Sequence, residues 1–541
     1  MSSHPTEVRG PAAASAGTAA PSAEDPSAGP AEHQSANVRH IRGSSLLLFG
    51  RILGLSLDFV TQVLIVRHLS KTDYGTFAFV LSIVAIGTTA CLLGLERTVG
   101  RFAPIYQEHR DYDRMWGTIA IVFGTVVTIG LGMIVAVELG HDVVEKLLSD
   151  DAAVTVLLIM IALAPLQALD SLLIAMFASF GTPRAIFFRR YVFAPVLELS
   201  VVIFLVLSSN GLRVLAGGYV LATALGILIY GSSLVRLLVR QGLTEHLNRR
   251  TIKLPFRELF SFSIPLLASD LVFVLRNSLT IILLQFFRDA RDVADYRAVL
   301  PIAIQTIFVS TSFRFVFTPG ASRLFARRDH KELNNLYWQT AVWIAILSFP
   351  VFAVGLAFSE PVSVFLFGDR YRDSGLVLSI LVIGYYANAA FGFNSLLLRV
   401  FGRVRYMVAT DGSVAVLSVI ASVLLIREYG AIGAAVATTG SLILQNVLYQ
   451  LGMRSRTTVR AFDRRYITVY VSIVVAAIAL CLFAVVVRPN LLIGVVVSGV
   501  VSLAVLGVNR HALHVGEVYP ELMRFGIIRR LFDDRSRRND E

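Results

Sequence analysis

Charge is scarce in this chain of 541 residues. Asp, Glu, Lys and Arg make up 16% of it, whereas hydrophobic residues make up 55%. A soluble fold needs roughly 25% charged residues to coat itself for water, and the mean hydropathy is +0.69. The composition excludes a soluble enzyme and predicts an integral membrane protein. Cysteine is almost absent. Cys91 and Cys481 both sit in apolar runs, which excludes a disulfide framework and a paired-cysteine metal site. There is no G-x-x-x-x-G-K-[ST] phosphate loop, so the chain itself is not expected to hydrolyse ATP. No H-E-x-x-H motif occurs, and no cofactor is expected. The net charge of +12 does not call for nucleic acid, because cytoplasmic loops of membrane proteins collect Lys and Arg.

The first 40 residues hold ten Ala, six Ser and five Pro, with no apolar run before Ile41. Such a segment cannot bury enough apolar surface to offset its ordering entropy. Residues 1–42 are therefore expected to form a disordered cytoplasmic tail, without the apolar centre of a secretory leader.

A membrane-spanning helix needs about 20 mostly apolar residues. On that criterion the sequence predicts an all-α polytopic protein of about fourteen spans. Long runs at 152–180 and 258–285 contain Pro165 and Pro265 as points for a kink. With the N-terminus in the cytoplasm, the even connections carry 25 Lys and Arg and the odd ones 11. That bias predicts both termini on the cytoplasmic side of the cell (inner) membrane. The longest outward connections, about 139–151 and 360–373, are too short for the catalytic domain of an envelope polymerase or ligase.

The first six spans share landmarks with the next six. Phe180-Gly181 and Phe401-Gly402 follow spans 4 and 10, and Gly211 and Gly430 precede spans 6 and 12. Six is even, so the copies share one orientation, related by an axis along the membrane normal. The expected organisation is an N-lobe at 43–240, an inter-lobe cytoplasmic loop at 241–257, and a C-lobe at 258–453. Two extra helices at 454–510 and a cytoplasmic tail at 511–541 follow.

Several segments resemble polysaccharide biosynthesis flippases of the Wzx type, in the multidrug/oligosaccharidyl-lipid/polysaccharide exporter superfamily. Arg67-His68-Leu69-Ser70-Lys71-Thr72-Asp73-Tyr74-Gly75 is similar to that family's link between spans 1 and 2, although its usual proline is absent. Leu366-Phe367-Gly368-Asp369-Arg370-Tyr371 resembles the outer loop before span 10. Tyr429-Gly430-Ala431-Ile432-Gly433 resembles the start of span 12, and Pro319 with Ser322, Leu324 and Phe325 the inner end of span 8. The resemblance covers about 44–451. It implies alternating access between two lobes that export a polyprenyl-(pyro)phosphate-linked oligosaccharide. It also implies a lipid-tail groove near spans 13 and 14. Assembly enzymes of the polysaccharide and membrane lipids are the expected partners. A multidrug/cation antiporter of the same superfamily is the alternative.

Ionisable groups inside the bilayer usually face a cavity or a partner. A pyrophosphate headgroup suits guanidinium groups, which stay charged and bind phosphate oxygens in pairs. Arg51, Arg276 and Arg314 are the candidate substrate ligands. The alternatives are snorkelling to the interface for Arg51 and Arg314, and a carboxylate partner for Arg276. Asp58, Glu198, Asp270 and, less centrally, Asp170 are candidates for coupling to protons or sodium, or for fixed salt bridges. Arg51 and Asp58 lie seven residues apart, about 10 Å along one helix face. Asp411 reads as interfacial. Gln167, Gln285, Gln305, Asn388 and Asn394 either bind sugar hydroxyls or join helices.

Overall fold

A computed structural model of the chain describes residues 50–148, 151–181, 186–208, 211–247, 250–460 and 462–513. The N-terminal tail to 49 and nearly all of the expected C-terminal tail lie outside the described residues. Among those described, every regular element is helical. The first half comprises α1 (50–68), α2 (Lys71–Leu92), α3 (Leu95–Glu108), α4 (Tyr112–Leu139), α5 (His141–Leu148), α6 (Asp151–Met160), α7 (Leu163–Phe180), α8 (Ala194–Ser208) and α9 (Leu212–Arg240). The second comprises α10 (Phe256–Phe287), α11 (Ala290–Ile304), α12 (Phe308–Ala326), α13 (His330–Ala357), α14 (Ser359–Phe367), α15 (Ser374–Ala390), α16 (Asn394–Val400) and α17 (Val404–Arg456). Then come α18 (Ile467–Val487) and α19 (Leu491–Val508).

Twelve helical stretches among the described residues are long and apolar enough to cross a bilayer. The expected fourteen differ in two places. Helix α1 carries Arg51, Asp58 and Arg67 and is not among the twelve. Helix α17 counts as one stretch but folds back on itself at Gly430, where φ is 55° and ψ is −131°. A Cβ at Gly433 would lie 2.0 Å from the Leu425 carbonyl oxygen. In a straight helix those residues would be about 12 Å apart, so α17 is a hairpin with legs matching the expected spans 406–426 and 429–451.

Helix starts follow their capping residues. Ser70 accepts from the Asp73 N–H at 3.0 Å to begin α2. Asp289 accepts from the Arg291 and Asp292 N–H groups to begin α11, and Asp329 from Glu332 to begin α13. The run 152–180 breaks at Ile161–Ala162, four residues before Pro165, whose missing N–H leaves the Ile161 carbonyl without its helical partner. Pro265, by contrast, lies inside a continuous α10. Two further breaks were not expected. Span 8 passes from α11 to α12 through a tight turn at Gln305–Ile307. Span 10 passes from α15 to α16 through Phe391–Phe393, with Gly392 at φ 73°.

Two hydrophobic cores organise the packing. One runs through both halves, joining Val66, Phe79 and Val80 of the first to Val299, Phe349 and Leu381 of the second. The other stays within the first half, from Cys91 and Leu95 through Met115 and Met176 to Leu238. In the first half, the shared core uses helix segments near the 69–70 connection, and the separate core uses their opposite ends. The halves are therefore fused at one end of the bundle. At the other they keep separate cores, touching along α3 and α10. Helices α18 and α19 dock on α13. Trp338 of α13 is 2% exposed and donates to the Arg460 carbonyl at 3.0 Å. Asn509 closes the pair by donating to Ser472 at 2.7 Å.

Candidate functional site

Both unexpected helix breaks open onto one cavity of about 520 Å³ in the second half. Ile307 from the first break and Gly392, Phe393 and Asn394 from the second line it. Interrupted helices present backbone groups and polar side chains to a cavity at membrane depth without exposing them to lipid. Arg276 of α10 and Arg314 of α12 line the same cavity. The structure thus brings together two of the three predicted arginines. The Arg276 guanidinium donates to Gln445 Oε1 at 3.1 Å, and Gln445 donates to Asp411 Oδ1 at 2.6 Å. Tyr449 also donates to Asp411. Asp411 is a cavity-wall residue inside the hairpin. Its charge is balanced through Gln445, so neither arginine is in a direct ion pair with it. Arg314 is exposed, with no carboxylate at ion-pair distance among the described residues. Asn388 and Asn394 line the cavity and are joined through Asn446 at 2.9 and 3.0 Å. Gln167 instead joins helices, accepting from Thr88 at 3.2 Å.

The first half holds a second charged cluster. Asp170 forms an ion pair with Arg189. The Arg189 side chain is 4% exposed, and its guanidinium lies 5.0 Å from the centre of the Tyr230 ring. The π-helical turn Phe188–Phe193 that leads into α8 places it there. Such turns insert one extra residue per turn and redirect side chains, often at functional positions. Glu198 lies within electrostatic reach of Asp58, Arg189 and Asp170. Asp58 forms no ion pair with Arg51; no such pair is present among the described residues. Arg51 is half-exposed and does not line the cavity that holds Arg276. Its neighbours on α1, Gly50 and Gly54, pack against Phe187 and Tyr191. Asp270 takes Arg97 of α3 as its partner at 2.7 Å, across the boundary between the halves, rather than Arg276 on its own helix.

The fused end is held by polar contacts between the halves. Arg67, at the end of α1, donates to the carbonyls of Phe365 and Leu366 at the end of α14, the latter at 2.7 Å. Arg370 returns the contact, donating to the Val66 and Arg67 carbonyls at 2.6 Å each. Each guanidinium caps the negative end of a helix in the opposite half. Lys71 pairs with Asp295 at 2.7 Å, and Ser374 donates to the same carboxylate. Beside them α2 and α11 meet so closely that a Cβ on Gly75 would lie 1.7 Å from the Ala290 carbonyl oxygen. The two motifs containing Arg67–Gly75 and Leu366–Tyr371 are therefore one contact. The motif at Gly430 joins them through Asp292, which accepts from the Ala431 N–H at 3.2 Å.

Sequence reasoning missed Arg189, Gln445 and Tyr449, and the two helix breaks. Phe391-Gly392-Phe393-Asn394 carried a breaker signal. Arg189 had none, since a basic residue next to a proline-containing connection reads as a loop charge.

A two-lobed helical bundle fused at one end, with polar cavities between interrupted helices, is the architecture of a membrane transporter. The family model described as "Polysaccharide biosynthesis protein" matches residues 41–325, and one described as MatE matches 265–424. The chain belongs to the polysaccharide biosynthesis protein family. No curated relative matches at a significant level. Among solved structures, the lipid II flippase MurJ in its inward closed conformation aligns with a TM-score of 0.68 at 14% identity, covering 87% of this chain and 99% of that one. An inward-facing multidrug resistance MATE family transporter of the MOP superfamily aligns with a TM-score of 0.61 at 14% identity, covering 76% and 98%. These likenesses establish the shared fold.

Proposed function

We propose that the protein is a flippase. It carries a polyprenyl-(pyro)phosphate-linked oligosaccharide from the inner to the outer leaflet of the cytoplasmic membrane, for surface polysaccharide or glycan assembly. The observation that carries this reading is the cavity at the interrupted helices, with Arg276 and Arg314 in its wall. A diphosphate entering it would meet guanidinium groups able to bind its oxygens in pairs, and Asn388 and Asn394 lie beside them for sugar hydroxyls. The polysaccharide family and the lipid II flippase neighbour support the same class of substrate.

In this reading the fused end faces outward and both termini face the cytoplasm, in agreement with the Lys and Arg bias of the connections. Transport then requires the Arg67–Arg370 clasp and the Lys71–Asp295 pair to open while the halves close at the other end. Enzymes that build and polymerise the glycan are its functional partners. Coupling to a proton or sodium gradient is the driving force in this reading. Asp58 and Glu198 are the coupling candidates, because Asp170 already has Arg189 as its partner and neither of these two carboxylates forms an ion pair among the described residues.

The same two acids favour a second reading, a multidrug/cation antiporter, to which the MatE match at 265–424 and the MATE neighbour also lend support. Purified protein in vesicles separates the two. Under the flippase reading, wild-type protein moves a polyprenyl diphosphate oligosaccharide and Arg276→Ala does not. Export of a cationic dye by wild type, unchanged in Arg276→Ala and without lipid movement, would favour the antiporter.

A further inference from the structure

Arg276 stands between two compartments of different chemistry. Towards the parted end lies the polar cavity with Arg314 and Asp411. Towards the fused end lies an apolar groove of about 350 Å³ between α10 and the first leg of α17. Val272, Arg276 and Ala415 belong to both. The groove is walled by Leu279 and Leu283 on one side and Val416 and Val419 on the other. From Val272 to Leu283 it runs roughly 16 Å along the helix axis, about half of a bilayer's hydrocarbon core. Val272, Val416 and Ile420 are 51%, 61% and 50% exposed, so no element among the described residues fills it. The groove ends on Arg276, whose charge is costly in hydrocarbon unless it faces a cavity or a partner, and the polar cavity opens directly beside the groove at that residue.

We infer that this groove between α10 and α17 holds the isoprenoid chain of the substrate, with its diphosphate at Arg276 and its sugars in the polar cavity. The inference rests on the flippase reading and goes beyond it by assigning the tail. The direction agrees with the fold. A lipid of the inner leaflet points its headgroup to the cytoplasm and its chain to the bilayer centre. The polar cavity opens from Arg276 towards the parted end, and the groove leads away from it towards the fused end. This location differs from one at α18 and α19, which pack on α13.

The test uses the full chain in lipid vesicles and two probes: a long-chain polyprenyl diphosphate with a diazirine in its tail, and water-soluble methyl diphosphate. Photolabelling of the wild type should mark 272–283 and 415–422. Val419→Trp, which fills the groove, should weaken the long-chain probe at least tenfold and leave methyl diphosphate binding unchanged. Labels on other helices, with full long-chain binding by Val419→Trp, would overturn the groove and leave the flippase reading standing. So would labelling that excess phosphatidylglycerol displaces, since the groove would then be an ordinary lipid site. A wild type that binds neither probe would overturn the groove and the flippase reading together. The wild-type map is independent of how Val419→Trp folds.

Discussion

Arg276 and Arg189 show how one residue type takes two roles within the helical bundle. Arg276 donates to the neutral amide of Gln445 at 3.1 Å and lines a cavity, so its charge remains available to an anion. Replacing it by Lys keeps the charge and loses the planar fork. Arg276→Lys is expected to bind methyl diphosphate more weakly by about 1.5–3 kcal/mol, the usual worth of a hydrogen bond to a charged group. Titration calorimetry would measure this, and unchanged affinity would remove Arg276 from the headgroup site. Arg189 is buried against Asp170. Removing one partner of such a pair leaves an uncompensated charge, at a cost of about 3–5 kcal/mol, whereas replacing both by apolar residues is often neutral. Arg189→Met should lower the thermal midpoint of the purified protein strongly, and Arg189→Met with Asp170→Leu should recover most of it. A double variant as unstable as the single would show that the pair does not act as a unit.

At the scale of elements, the interrupted helices and the docking of α18 decide what the bundle can hold. Gly392 sits at φ 73° in the break between α15 and α16, and a Cβ there would lie 2.8 Å from the Ala341 methyl. Gly392→Val combines a disfavoured backbone with a clash. It is expected to deform the cavity and abolish transport in reconstituted vesicles; full activity would mean that the break has no role in transport. The start of α18 is tied to α13 through Asp463. The Arg465 guanidinium hydrogen-bonds to its carboxyl and holds it below the usual carboxylate range, assisted by the Arg465 N–H and by Asn334. A lowered folded-state pKa means that this stabilisation is present above the unfolded value, near 3.9, and is lost as pH falls through the folded one. Acidification below about pH 4 should therefore loosen α18 and α19 from α13 more in wild type than in Asp463→Asn. Hydrogen exchange over 464–487 would register it, and equal loosening in both would discount the carboxylate.

For the whole molecule, the question is whether the fused end must open. The clasp joins two halves through Arg67, Lys71, Asp295 and Arg370, and α2 and α11 touch at Gly75 with no room for a side chain. Such a surface holds one conformation without sealing the other, because its hydrogen bonds can be replaced by water when the end parts. A short thiol-reactive cross-linker between Lys71→Cys and Asp295→Cys, with Cys91 and Cys481 replaced, should stop transport, and cleavage of the linker should restore it. Transport through the cross-linked protein would exclude opening at this end. Gly75→Val should act in the opposite sense, wedging the end apart and raising cysteine accessibility at position 71.

The sequence alone determined that this is a helical membrane protein of the polysaccharide family's kind, and where most of its spans lie. Those properties follow from hydrophobic run length and from local motifs, both of which are written along the chain. It also singled out Arg276 and Arg314, because any charge within an apolar run stands out. Pairing was decided only by tertiary structure. Asp270 chose Arg97 in the other half, Asp170 chose Arg189 from the π-helical turn, and Arg51 and Asp58 stayed apart despite lying on one helix face. Ion pairs form between side chains that packing brings within a few ångströms, and sequence spacing reports that distance only within one helix. The cavity depends on two helix breaks and a hairpin meeting at one depth, and the fusion of the halves depends on motifs 300 residues apart capping each other's helices. Both are properties of where elements lie in space, which periodicity along one element does not encode.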